Sequence, residues 1–146
     1  MRSAVVAGVS DQGAGAVLEV AAALATVLGD GLVVVHVEEG SALVDANLAT
    51  GAGSGALVAA NTELSDRCHL DCELALAGRP VAWRFEVRAG EPSAELIRVA
   101  RHAGAAFLVV GRGERRRSGP RRRKPATLER LLADSPVPVV AVPPPA

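Results

Sequence analysis

Apolar residues are distributed along the chain in two alternating kinds of run. Short uninterrupted runs at 3–9 (SAVVAGV), 32–37 (LVVVHV) and 105–110 (AAFLVV) predict strands buried on both faces. Between them lie longer segments with helical spacing. The first, 14–28, is rich in Ala, Leu and Val; Ser10 or Asp11 suits its start and Gly29 its end. A second helix is predicted over 56–77, with Leu57, Leu64, Cys68 and Ala75 on one side. A third, 93–103, follows a Gly90-Glu91-Pro92-Ser93 turn and has Leu96, Ile97, Val99 and Ala100 inward. A short fourth helix over 125–133 again has Pro at its start. Residues 81–88 (VAWRFEVR) alternate, which predicts a strand with one exposed face at a sheet edge. The last strand, 137–142, contains a proline and is also placed at an edge. Residues 41–50 suit a short helix, and GAGSG at 51–55 a flexible loop.

Strands alternating with helices give right-handed βαβ units. The expected fold is therefore a single α/β domain over 1–146: a five-stranded parallel sheet with helices on both faces, Rossmann-like in its layering. Such sheets bind ligands at the carboxyl ends of their strands, where the strand order reverses.

Composition narrows this picture. The chain has 146 residues, 49% of them hydrophobic, so a sizeable core is available. Only 2% are aromatic, so that core is aliphatic, and platforms for stacking single-stranded nucleic acid are nearly absent. Net charge is zero, yet residues 112–124 carry eight basic side chains and one acid. A basic loop on an acidic body favours a local anion site over a broad nucleic-acid face. No apolar run reaches membrane-span length, and the N-terminus enters strand-like sequence directly. The expectation is a cytoplasmic protein with Cys68 and Cys72 reduced.

Candidate chemistry concentrates after the strand at 105–110. Val110-Gly111-Arg112-Gly113 lets backbone N–H groups approach an anion. The N-terminus of the helix at 125–133 faces the same sheet edge, and Ala126 and Thr127 supply N–H groups there, with the Thr127 hydroxyl as a further donor. Arg115, Arg116 and Arg117, then Arg121, Arg122, Arg123 and Lys124, complete a phosphate cradle. The same arginine run reads equally as a solvated loop, or as a surface that docks an acidic partner. Cys68 and Cys72 lie one turn apart with His69 nearby, but no second ligand pair accompanies them. They read as small core hydrophobes, and no metal is expected. His36 and His102 read as structural, with no nucleophile or carboxylate partner by motif. Serine-hydrolase, P-loop and dinucleotide-binding signatures are absent, and no catalytic residue is assigned.

Three segments carry a family resemblance: AVVAGVS with the Ala-rich helix after it, VRAGEPSAELIRVARHAGAAFLVVG, and TLERLLADSPVPVVAV. Together they resemble the universal stress protein family across almost the whole chain. That resemblance implies a fold of the adenine nucleotide α-hydrolase-like type, a homodimer formed through the last strand, and binding of ATP. The family's nucleotide motif is Gly-x-x-Gly, nine residues, then Gly followed by Ser or Thr. Here Gly111 matches the first glycine, Gly113 comes one residue early, and Pro125-Ala126 stands where Gly-Ser belongs. Ser10 occupies the usual position of an acid near the adenosine, and Val37 matches the valine at the end of the second strand. By this correspondence Val9, Ser10, Val37 and Val110 line the adenosine end. Gly111, Arg112, Gly113, Ala126 and Thr127 face the phosphates. The reading is a stress-associated protein that binds ATP, another adenine nucleotide or a related phosphate ligand weakly. The alternative is a dimer without nucleotide whose arginine loop docks an acidic partner. An enzyme, a slow ATPase, ranks below both, and nucleic acid or membrane partners are not expected.

Overall fold

The computed structural model describes residues 3–10, 14–38, 54–112 and 127–145. Their order is β1 (Ala4–Val9), α1 (Ala14–Leu28), β2 (Gly31–Glu38), α2 (Ser54–Leu76), β3 (Trp83–Ala89), α3 (Pro92–Ala103), β4 (Ala105–Gly111), α4 (Thr127–Asp134) and β5 (Val139–Val142). The second predicted helix begins two residues earlier than expected, within the GAGSG stretch. The short helix expected over 41–50 lies outside the described residues.

All pairings in the sheet are parallel, in the order β3-β2-β1-β4-β5. The strands read as edges, β3 and β5, do lie at the edges. The chain begins at the centre, winds outward through β2 to β3, then crosses back to lay β4 against the other side of β1. The strand order therefore reverses between β1 and β4.

Side-chain alternation sorts the core into two layers. Val5, Ala7, Leu32, Val34 and Val109 face α1 and α2. Val6, Val33, Val35, Leu108 and Val110 face α3 and α4. Helix α1 carries Ala21, Ala22 and Ala25 inward, small residues that let it lie close on the sheet. On the opposite face the close approach comes from the sheet. A Cβ at Gly8 would meet Leu96 Cδ1 at 2.9 Å and Val110 Cγ1 at 3.2 Å, so the missing side chain makes room for α3.

The predicted inward face of α2 needs correction. Leu64 is exposed, and the buried stripe runs through Ser65, Cys68, Cys72 and Leu76. These residues follow the i, i+3, i+4 rule, whereas Leu64 sits about a quarter of a turn off the centre of their stripe. On α3 the predicted inward residues Leu96, Val99 and Ala100 are buried, with Ile97 at the margin.

Helix α3 opens as its sequence suggests, and the residue before Pro92 does more than turn the chain. Gly90 has φ +139°, a conformation that disfavours side chains. Glu91 then caps the helix, accepting from Ser93 N at 3.2 Å, Ala94 N at 2.9 Å and Ser93 Oγ at 2.6 Å. Its carboxylate also takes Arg130 of α4 at 3.1 Å. One side chain thus satisfies two free N–H groups of α3 and fastens α4 to it.

Candidate nucleotide site

At the carboxyl ends of β2, β1 and β4 the sheet register brings the predicted adenosine-end residues to one edge. Val9 pairs with His36, so Val37 lies one residue beyond, alongside Ser10. Gly8 pairs with Val110, which sets Gly111 beside Val9. The floor is closed, with Val9 8% and Val110 5% exposed, and above it Ser10, Gly111 and Arg112 reach solvent. The three valines do not line one wall. Val9 packs in the layer beneath α1, whereas Val37 and Val110 pack towards α3. Val9 therefore meets this crevice through its backbone.

The phosphate end is placed in part. Arg112 donates its backbone N–H to Val142 O at 2.7 Å, extending the β4–β5 ladder by one bond. That N–H is already engaged, which leaves the exposed guanidinium as the Arg112 group able to meet an anion. Thr127 opens α4, and a helix crossing back between parallel strands has its N-terminus at their carboxyl ends. Gly113, Ala126 and the basic residues Arg115, Arg116, Arg117, Arg121, Arg122, Arg123 and Lys124 lie outside the described residues.

Sequence reasoning treated His36 and the two cysteines as separate core residues. They form one cluster. His36 alternates with Leu32 and Val34 and so points at α2, where it and the buried Cys68 shift one another's protonation and the buried Cys72 acts on Cys68 in turn. His36 Nδ1 lies 3.5 Å from Val9 O, at the long end of a hydrogen bond. Contact with Cys68, against the opposing effect of burial, raises the His36 pKa. The Cys72 hydrogen bond does most to lower the Cys68 pKa; burial opposes it and His36 adds to it. Cys72 shifts upward, because its proton is held on Cys68 and it is buried. Strand parity combined with the i, i+4 cysteine spacing was the signal that could have joined these residues.

His69 turns away from the thiols. It stacks on Phe85 at 4.5 Å, meets Trp83 edge-on and pairs with Glu73 at 3.4 Å. Among the described residues no group of three or more His, Cys, Asp or Glu could hold a metal ion. Nor is any described helix long and apolar enough to cross a membrane. A separate groove of about 850 Å³ runs over the outer surface of α3 and α4, where Arg98, Arg101, His102 and Arg130 line it. None of the predicted nucleotide residues borders it.

Known proteins share this architecture. A universal stress protein from Burkholderia pseudomallei matches with 24% identity and a TM-score of 0.71, covering 97% of this chain and 96% of its own. A universal stress protein from Archaeoglobus fulgidus in complex with dAMP matches at 18% identity and TM-score 0.64, covering 97% and 98%. A universal stress protein in complex with cAMP matches at 17% identity and TM-score 0.60, covering 99% and 98%. At these identities the likeness establishes the fold. A comparison with curated protein sequences gives no match. The sequence model of the universal stress protein family, however, spans residues 1–143. With the motifs at Gly90-Glu91-Pro92 and Pro136-Val137-Pro138, that match places the chain: it belongs to the universal stress protein family.

Proposed function

We propose that this protein binds an adenine nucleotide, with its adenosine end in the crevice between the carboxyl ends of β1 and β4. The observation that carries the reading is the reversal of strand order there, with solvent-reaching Ser10 and Gly111 above a floor closed by Val9 and Val110. Gly111 has no side chain to obstruct a ligand, Val37 offers an apolar edge for a base, and Ser10 offers a hydroxyl. The dAMP and cAMP complexes of structural neighbours support the ligand class. Phosphate contact would come from the Arg112 guanidinium, since the Arg112 amide is committed to β5.

A fluorescent ATP analogue titrated at moderate salt, with ATP, AMP and cAMP as competitors, tests this. Saturable binding displaced by the unlabelled nucleotides, with a raised melting temperature, is expected. No saturable binding and no thermal shift would overturn it. We assign the protein to binding in the stress response rather than to turnover, and phosphate release from ATP above a protein-free control would reverse that assignment. We also propose a homodimer through β5, an edge strand of four residues whose outer side pairs with no strand among the described residues. Sedimentation equilibrium at monomer mass would exclude it.

A further inference from the structure

The buried cluster on α2 ends on the backbone of the residue that leads into the crevice. Val9 is the last residue of β1, and its carbonyl can only accept a hydrogen bond. His36 Nδ1 faces it at 3.5 Å and donates to it in the tautomer that carries the proton on that nitrogen. Cys68, 1% exposed, contacts the same ring, and Cys72, 0% exposed, stands behind Cys68. The interactions run from Cys72 to Cys68, from Cys68 to His36 and from His36 to Val9 O. Two acids act on the cluster from nearby, Glu38 on β2 raising His36 and Asp71 on α2 opposing the Cys68 thiolate. Val87, opposite His36 on β3, is uncharged.

A peptide unit is planar, and no described peptide bond is cis. The carbonyl of Val9 and the N–H of Ser10 belong to the same unit and point in opposite directions. Holding the carbonyl at His36 therefore turns the Ser10 N–H away from it. β1 lies between β2, which carries His36, and β4, which carries Gly111, so the β1 exit is set relative to the crevice.

We propose that His36 is the positioning residue of this crevice: braced from α2 by Cys68 and Cys72, it fixes the Val9–Ser10 peptide and with it the placement of Ser10. The inference rests on the nucleotide reading for its functional consequence, but the positioning itself can be read without ligand.

The experiment compares His36→Leu and His36→Asn in the full chain. Asparagine places an amide N–H near the position of Nδ1, whereas leucine removes the donor. In ligand-free protein, His36→Leu is expected to move the Ser10 amide resonance and speed its hydrogen exchange, with His36→Asn close to wild type. With the fluorescent ATP analogue, His36→Leu should bind about tenfold more weakly and His36→Asn within about threefold of wild type. A merely structural His36 would lower the melting temperature in both variants without this split. The proposal is overturned if Ser10 and the affinity are unchanged in His36→Leu, or if His36→Asn is as impaired as His36→Leu. Should wild type bind no nucleotide, that failure belongs to the nucleotide reading, and the Ser10 amide alone decides the positioning. Should His36→Leu not fold, Cys68→Ala removes the brace with the histidine in place. A shift of the Ser10 amide would then support the proposal, and an unmoved one would overturn it.

Discussion

The two faces of the sheet are built on different terms. Under α1 and α2 the buried layer mixes aliphatic side chains with polar ones: His36, Cys68, Cys72 and Ser65, the last donating to Glu38 at 2.7 Å. Under α3 and α4 the layer is aliphatic through Val6, Val33, Val35, Leu96, Val99, Leu108 and Leu131, and its buried polar residues, Ser93 and Glu95, are confined to the first turn of α3. Its polar ties sit at the rim, where Glu91 caps α3 and holds Arg130. Aliphatic packing sets how close two elements lie but has little preference for direction. A buried hydrogen-bonded group has a direction, and losing its partner leaves it unsatisfied. Both faces supply cohesion through buried apolar side chains, and the polar groups beneath α2 also orient the strand end that leads into the crevice.

The largest effect should come from the aliphatic packing under α4. Leu131 is fully buried in an eight-residue helix, and Leu131→Ala should cost about 2–5 kcal/mol in chemical denaturation. A cost below that of any α2-side substitution would break the comparison. Next is His36→Leu, which leaves the Val9 carbonyl and Cys68 without their partner and should cost about 1–3 kcal/mol. Glu91→Ala, at the rim, removes a helix cap and should cost about 0.5–2 kcal/mol. Burial tends to raise the Glu91 pKa, but hydrogen bonds from Ser93 and Ala94, with Arg130, bring it below the ordinary 4.5. Because the folded value is the lower one, this carboxylate's contribution is complete above that ordinary value. It disappears as pH falls through the folded value. Stability curves of wild type and Glu91→Gln should accordingly converge on acidification. The finest test is spectroscopic. Cys68 should show thiolate ultraviolet absorption at a pH well under the ordinary thiol range, and Cys72→Ala should move that titration upward.

Most of the fold was legible because its signals are local. Uninterrupted Val runs, helical spacing and the Gly90-Glu91-Pro92 turn each report on a few neighbouring residues. All five strands were placed within two residues of their observed limits, and the two edges followed from an alternating strand and a proline. The inward face of α2 was less legible, since an exposed Leu64 beside a buried Ser65 reverses the usual preference. The adenosine-end residues could be named from the resemblance, but the different facings of Val9, Val37 and Val110 follow from strand parity across three pairings. The cluster of His36, Cys68 and Cys72 was read residue by residue because His36 lies more than 30 positions from the two cysteines. Only the packing of α2 on β2 joins them.

The position of β1 also bears on how the molecule comes together in time. Ala4 finds one neighbour in Gly31 but the other only in Ala105, so β1 waits longest of the described strands for its second partner. Until β4 has been synthesised, the flank of β1 that will receive it presents unpaired backbone beside Val5, Val6 and Ala7, the kind of edge that templates aggregation. Joining sites a hundred residues apart adds chain-closure entropy before any contact offsets it, which slows folding in parallel sheets. The line between β1 and β4 is a seam, closed late in assembly. The crevice that opens at its carboxyl end exists only once the second half of the chain has docked on the first.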